Sequence, residues 1–125
     1  ALKACAALVE TISATITNLP EPFDQIRVSF GLATGDVVVG MLGSESRSEL
    51  AVIGQPANFA ARLQDFSKLA LSTAPNQPLG EFNKVMALID SKLLNGDSNI
   101  EKVQLPEKYR VRDFPDEDSL GIIRD

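Results

Sequence analysis

Asn58 and Arg62 are the two side chains in this sequence best suited to gripping a phosphorylated ligand. They stand four apart, which puts both on one face of a helix. Gly54 breaks the preceding pattern, and Pro56 suits the first turn of a helix. The pair therefore falls in the opening turns, where unpaired N–H groups and the helix dipole favour anions. An Arg there can hold a phosphate oxygen, and an Asn can fix a ribose hydroxyl or a second oxygen. The plainer reading of the same residues is that Asn is common at helix starts and that Arg on a helix faces solvent.

The remaining composition narrows the chemistry. The 125 residues contain no histidine and one cysteine, Cys5. Ser-His-Asp and Cys-His nucleophilic machinery is thereby excluded, as is an internal disulfide. The commonest zinc ligand is missing too. A net charge of −5 argues against a broad nucleic-acid surface. It leaves room for a nucleotide, which needs only a few local cations. A hydrophobic fraction of 44% suits one globular domain. No apolar run reaches the ~20 residues of a membrane-spanning helix, and no signal-peptide layout opens the chain.

The elements that must position the pair follow from periodicity. Leu2, Cys5, Leu8, Ile12, Ile16 and Leu19 recur at helical steps, and Pro20 and Pro22 end the run. Ile26 to Phe30 alternates as a half-buried strand. Val37, Val38 and Val39 read as a fully apolar strand core, and Glu49 to Ile53 as a further strand. Turns at Gly35-Asp36 and at 43–46 separate them. A helix is expected from Ala57 to about Leu71, with Ala60, Leu63, Phe66 and Leu69 or Ala70 facing inward. A loop over 72–80 leads to a second apolar strand, Val85 to Ile89. A short helix over 91–94 and strand-like pieces near 101–105, 109–114 and 120–123 complete the chain. This order predicts an α+β fold, a mainly antiparallel sheet with helices on one face, forming a single domain.

The glycines at 31, 35, 40, 43 and 54 match neither the dinucleotide fingerprint nor the P-loop. On local grounds they are turns and close packing. In context they carry more. The run VSFGLATGDVVVGMLGSESR, residues 28–47, resembles the strand pair of class III adenylyl and guanylyl cyclases, with its GIxxGxVVxGxxGxxxR pattern. The following AVIGQPANFAARL, residues 51–63, resembles that family's (D/T/C)VxGxxVNxAxRL segment. The resemblance implies a partial ferredoxin-like cyclase fold covering the C-terminal half of the catalytic domain.

It also implies a reaction. Such enzymes join the ribose 3′-oxygen to the α-phosphorus of a nucleoside triphosphate and release pyrophosphate. Asn58 matches the ribose-orienting Asn, and Arg62 the Arg that stabilises transition-state charge. Arg112, within Val111 to Pro115, stands where the family has a phosphate-holding Lys, although Asp113 replaces a glycine there. Two divalent ions, Mg2+ or Mn2+, are implied as cofactors. Their aspartates belong to strands upstream of the matched region, so no metal ligand is expected in this chain; Asp24 and Asp36 read as turn residues. The family works as a homo- or heterodimer, and the implied setting is a cytoplasmic domain of a membrane-anchored or sensor-linked parent.

Ala51 occupies the purine-facing position, where adenylyl cyclases carry Asp or Thr and guanylyl cyclases often Cys. Its methyl group offers no hydrogen bond. ATP is expected over GTP only because it is the commoner substrate among bacterial-looking domains of this kind. Two other readings stand beside the enzyme: a cyclase-like regulatory or dimerisation module without catalysis, and a ferredoxin-like domain whose glycine spacing is convergent.

Overall fold

The computed structural model describes residues 1–71, 79–94, 99–105 and 119–125. Helix α1 spans Leu2–Thr17, and three strands follow: β1 (Val28–Leu32), β2 (Val38–Ser44) and β3 (Arg47–Ile53). Helix α2 runs over Gln55–Leu71. Strands β4 (Val85–Asp90), β5 (Glu101–Gln104) and β6 (Ser119–Arg124) come last. Single 3₁₀ turns occupy Phe23–Gln25 and Ser91–Leu93. The expected strand at 109–114 and the turn at Asn95-Gly96 lie outside the described residues.

Four strands form one sheet in the order β1-β4-β6-β5, and β2 with β3 forms a separate hairpin. β1 and β4 are parallel; β6 is antiparallel to both its neighbours. The sheet is therefore mixed. A parallel pair needs a crossover rather than a tight turn, and α2 supplies it between β1 and β4.

The two helices lie on opposite faces, not on one face as the element order suggests. The reason is in β4, all six of whose residues are buried. Successive side chains of a strand point to opposite faces, so a strand with no polar face needs cover on both. Val85, Ala87 and Ile89 pack with Cys5, Val9 and Ile16 of α1. Met86 and Leu88 pack with Phe59 and Leu63 of α2, together with Leu120 and Ile122 of β6. Burying each such side chain contributes about 1.5–3 kcal/mol.

Two details of the sequence pattern also shift. The inward line of α1 runs through Cys5, Val9 and Ile16, and Leu8 is 49% exposed. Leu8 and Val9 compete for one turn, and the step of four from Cys5 puts Val9 inside. The valines at 37–39 form no buried strand core: Val38 is 68% exposed and Val39 57%. Val37 precedes β2, and Val38 and Val39 belong to the hairpin, whose faces have no cover among the described residues.

The last two residues tie the chain together. Arg124 donates from Nη1 to the carbonyls of Leu79 and Glu81 and from Nη2 to the Glu101 carboxylate, 2.8 Å away. The Asp125 carboxylate accepts from the Ser13 hydroxyl at 2.6 Å and from the amides of Lys84 and Val85. Desolvation pushes the Asp125 carboxyl up, but these hydrogen bonds outweigh it and hold it below the usual carboxylate range. A lowered folded-state value makes the bond a stabiliser above the unfolded value of about 4. Its contribution is lost as pH falls through the depressed folded value. Asp125→Asn should therefore lower the thermal midpoint near pH 7 and have a smaller effect near pH 3. The group is largely solvated, so a modest difference is expected. Equal shifts at both pH values would remove this carboxylate from the acid sensitivity of the fold.

Candidate functional site

Helix α2 is held in rotation by its buried side. Phe59, Leu63 and Ser67 recur every four residues and are all buried. The Ser67 hydroxyl lies 2.8 Å from that of Ser29 on β1. Gly31 lets the helix backbone come close: a Cβ there would stand 2.1 Å from the Ala60 carbonyl oxygen. With that side fixed, Asn58 and Arg62 must point away, and both are exposed. Among the described residues no hydrogen bond or ion pair occupies either side chain.

The corner into α2 is equally specified. The Asn58 amide donates to the Gly54 carbonyl at 3.3 Å, closing the first turn. Gly54 has φ of +154°, where an L side chain is rarely found, and a Cβ would lie 3.0 Å from the Asp36 carbonyl. The phase of Asn58 and Arg62 is thus set by a glycine at one end and a packed stripe along the helix.

Ala51 stands in the middle of β3, opposite Gly40 of β2. It is half-buried, and paired residues of an antiparallel ladder share a face. Val38, Gly40, Leu42, Glu49 and Ile53 line that face with it, so the Glu49 carboxylate stands among otherwise apolar neighbours. Ala51 is four residues before the start of α2 and is connected to it through Gly54. Arg112 and its segment lie outside the described residues.

Beside the start of α2 is a cleft of about 340 Å³ that sequence reasoning missed. It opens where the parallel strands β1 and β4 end, the usual place for ligands in such sheets. Thr34, Asp36, Gln55, Phe59, Asp90 and Lys92 are among its lining residues. Asp90 is only 1% exposed. Its carboxylate accepts from the Lys92 amide at 3.0 Å and the Thr34 amide at 3.4 Å, so it caps the 3₁₀ turn and ties it to the end of β1. The sequence signal was available: an Asp directly after an apolar strand and before a short helical turn is a capping pattern. Gln55 sits one turn before Asn58 on the same side of α2, so the cleft adjoins the exposed pair.

Other chemistry is disfavoured. Burial pushes the Cys5 thiol up, against a smaller opposite effect of the N-terminal charge, so it is a packing residue rather than a nucleophile. Among the described residues no group of three or more Asp, Glu or Cys converges into a cation site. The described residues do not by themselves fit a divalent metal. No helix of the described residues is long and apolar enough to cross a membrane.

Comparison with known proteins yields relatives without a stated activity. The chain is similar to an uncharacterized protein of Mycobacterium tuberculosis, 37% identical over 62 residues, covering 50% of this chain and 11% of that protein. A second uncharacterized protein of the same organism is 36% identical over 66 residues, 53% of this chain and 12% of that protein. An uncharacterized protein of Mycobacterium bovis matches as the first does, at 37% over 62 residues. The matched stretch thus spans only 11–12% of the length of these relatives. No family model matches the chain. No solved structure matches it either.

Proposed function

We propose that this chain is the C-terminal half of a class III purine nucleotide cyclase domain, in a partial ferredoxin-like cyclase fold. Its reaction would form a 3′,5′-cyclic nucleotide, cAMP before cGMP, and pyrophosphate from a nucleoside triphosphate. The observation that carries the reading is the state of Asn58 and Arg62: exposed, unengaged among the described residues, and held on one side of a helix whose other side is locked to the sheet. An unengaged Arg on a rigid support can meet charge that develops on the phosphoryl group without reorganising. Asn58, one turn earlier, has the reach and the two-way hydrogen bonding to orient a ribose.

The hairpin supports the partner in this reading. Val39, Met41, Leu50 and Val52 share one of its faces and are all more than half exposed. Exposed apolar patches of this kind mark interaction surfaces. A second cyclase domain would bring the carboxylates for two divalent ions.

One observation favours the alternative, a cyclase-like regulatory or dimerisation module. Ala51 itself, at the position where the family reads the purine, presents no hydrogen-bonding side chain. An assay separates the two readings. The chain alone should form no cyclic nucleotide from ATP or GTP with Mg2+ or Mn2+, whereas the full-length polypeptide should do so. Turnover by the chain alone would overturn the half-site reading. No turnover and no binding of a triphosphate analogue by the full-length polypeptide would leave the module.

A further inference from the structure

The cleft beside the start of α2 joins an apolar wall to groups that accept and donate hydrogen bonds. Pro56 and Phe59 supply the wall, and Asp36, Gln55, Asp90 and Lys92 the polar groups. Its volume of about 340 Å³ lies near the lower end of the range for ligand pockets. That is room for a ring system rather than for a whole nucleoside triphosphate. Asp90 is the unusual member: it is 1% exposed, yet it lines the cleft. Its Oδ1 accepts from the Lys92 amide and its Oδ2 from the Thr34 amide. A carboxylate oxygen can accept twice, so each keeps one acceptor site. Shielded from bulk water, those sites call for a donor.

Charge decides how a nucleotide would lie here. Asp36 and Asp90 outnumber Lys92, so the cleft opposes a triphosphate. A neutral base meets no such opposition. Gln55, Asn58 and Arg62 follow one another along one side of α2, and Gln55 and Arg62 stand about 10 Å apart along its axis. The order cleft, Asn58, Arg62 is thus the order base, ribose, phosphate.

We infer that the cleft is the base subsite for the nucleotide that Asn58 and Arg62 hold, and that Gln55 and Asp90 select adenine there. The inference rests on the cyclase reading and locates the purine recognition that Ala51 cannot supply. A glutamine amide matches adenine on two atoms, accepting from the 6-amino group and donating to N7. Asp90 accepts the second hydrogen of the same amino group. Guanine carries an oxygen at that carbon. The Gln55 amide can turn over and donate to it, but the Asp90 carboxylate has no hydrogen to give. Asp90 is therefore the stricter selector of the two.

Specificity constants of the full-length polypeptide for ATP and GTP test this. ATP should be preferred by at least ~100-fold, as when the wrong ligand would leave a buried polar group without its partner. Inosine triphosphate, which has the C6 oxygen but no 2-amino group, should be rejected as GTP is. Gln55→Ala should lower kcat/KM for ATP by about 10-fold, the loss of a pair of neutral hydrogen bonds, and leave GTP unaffected. Its melting curve should match the parent, because Gln55 is exposed. Asp90→Asn keeps an oxygen to cap the Lys92 amide and turns an NH2 group to the base. It should cut the ATP preference by at least ~10-fold. If that variant melts early, Gln55→Ala still decides. A preference for GTP, which Lys92 could satisfy by donating to the oxygen, would overturn the inference. An ATP preference unaltered by either substitution would place the base elsewhere and leave the cyclase reading standing. No product from either nucleotide would remove that reading, and the inference with it.

Discussion

Arg62→Ala in the full-length polypeptide should lower kcat for cyclic nucleotide formation by about 10²–10³-fold, the usual loss when one preorganised charge-stabilising group is removed. Thermal stability should change little, within about 0.5 kcal/mol, as for other exposed substitutions away from special features. The two expectations belong together. Arg62 is exposed and holds nothing among the described residues, so the fold has no evident use for it. The loss should appear in kcat more than in KM, because the guanidinium would act on charge that grows only in the transition state. Arg62→Lys should restore part of the rate, since it keeps the charge but not the fork geometry. Asn58→Ala should lower the rate less, as only neutral hydrogen bonds to the ribose would be lost under the proposed reading. Initial rates and melting curves of the same preparations decide the matter. An unchanged rate in Arg62→Ala would reduce the pair to solvated helix surface.

The sequence made the individual elements legible more readily than their arrangement. Helical periodicity located α1 and α2 to within about two residues, and the apolar run 85–89 located β4. The face of each element was harder. Leu8 and Val9 are adjacent and both apolar, so only the packed structure shows which one enters the core. The three valines at 37–39 have the composition of a buried strand, yet all are exposed, and Val38 and Val39 lie in a hairpin with no cover among the described residues. Apolarity records that a surface wants cover; it does not record whether the cover comes from the same chain. The parallel pairing of β1 and β4, and with it the cleft where both strands end, was hidden by the β2–β3 hairpin inserted between β1 and α2, which made a mainly antiparallel sheet the expectation. The Asp90 cap is local, an Asp between an apolar strand and a short helical turn. Asn58 and Arg62 were legible as neighbours on a helix by spacing alone. That no hydrogen bond or ion pair among the described residues engages them needed the structure.

The largest stability effect is expected at Gly31. A Cβ at this position would lie 2.1 Å from the Ala60 carbonyl oxygen and 3.0 Å from the Leu63 Cβ. Neither the helix backbone nor a Cβ can swing aside as a flexible side-chain tip would. Relief requires α2 to lift from β1. Lifting it pulls apart the Ser29–Ser67 hydrogen bond and opens the packing of Phe59 and Leu63 against β4. Overpacking usually costs about 1–3 kcal/mol, and loss of the hydrogen bond adds about 1 kcal/mol. Gly31→Ala should therefore destabilise the chain by about 3 kcal/mol, and Gly31→Val by more. Against a total of about 5–15 kcal/mol for a domain, the Val variant should be largely unfolded. Gly40→Ala is the control, because a Cβ there meets nothing within 4 Å. It should be close to neutral. Urea midpoints of the three variants measure the contrast, and a Gly31→Ala shift below about 1 kcal/mol would mean that the helix backbone yields more easily than its packing implies. The same variant separates support from chemistry. In the full-length polypeptide Gly31→Ala should lose rate and stability together, whereas Arg62→Ala should lose rate alone.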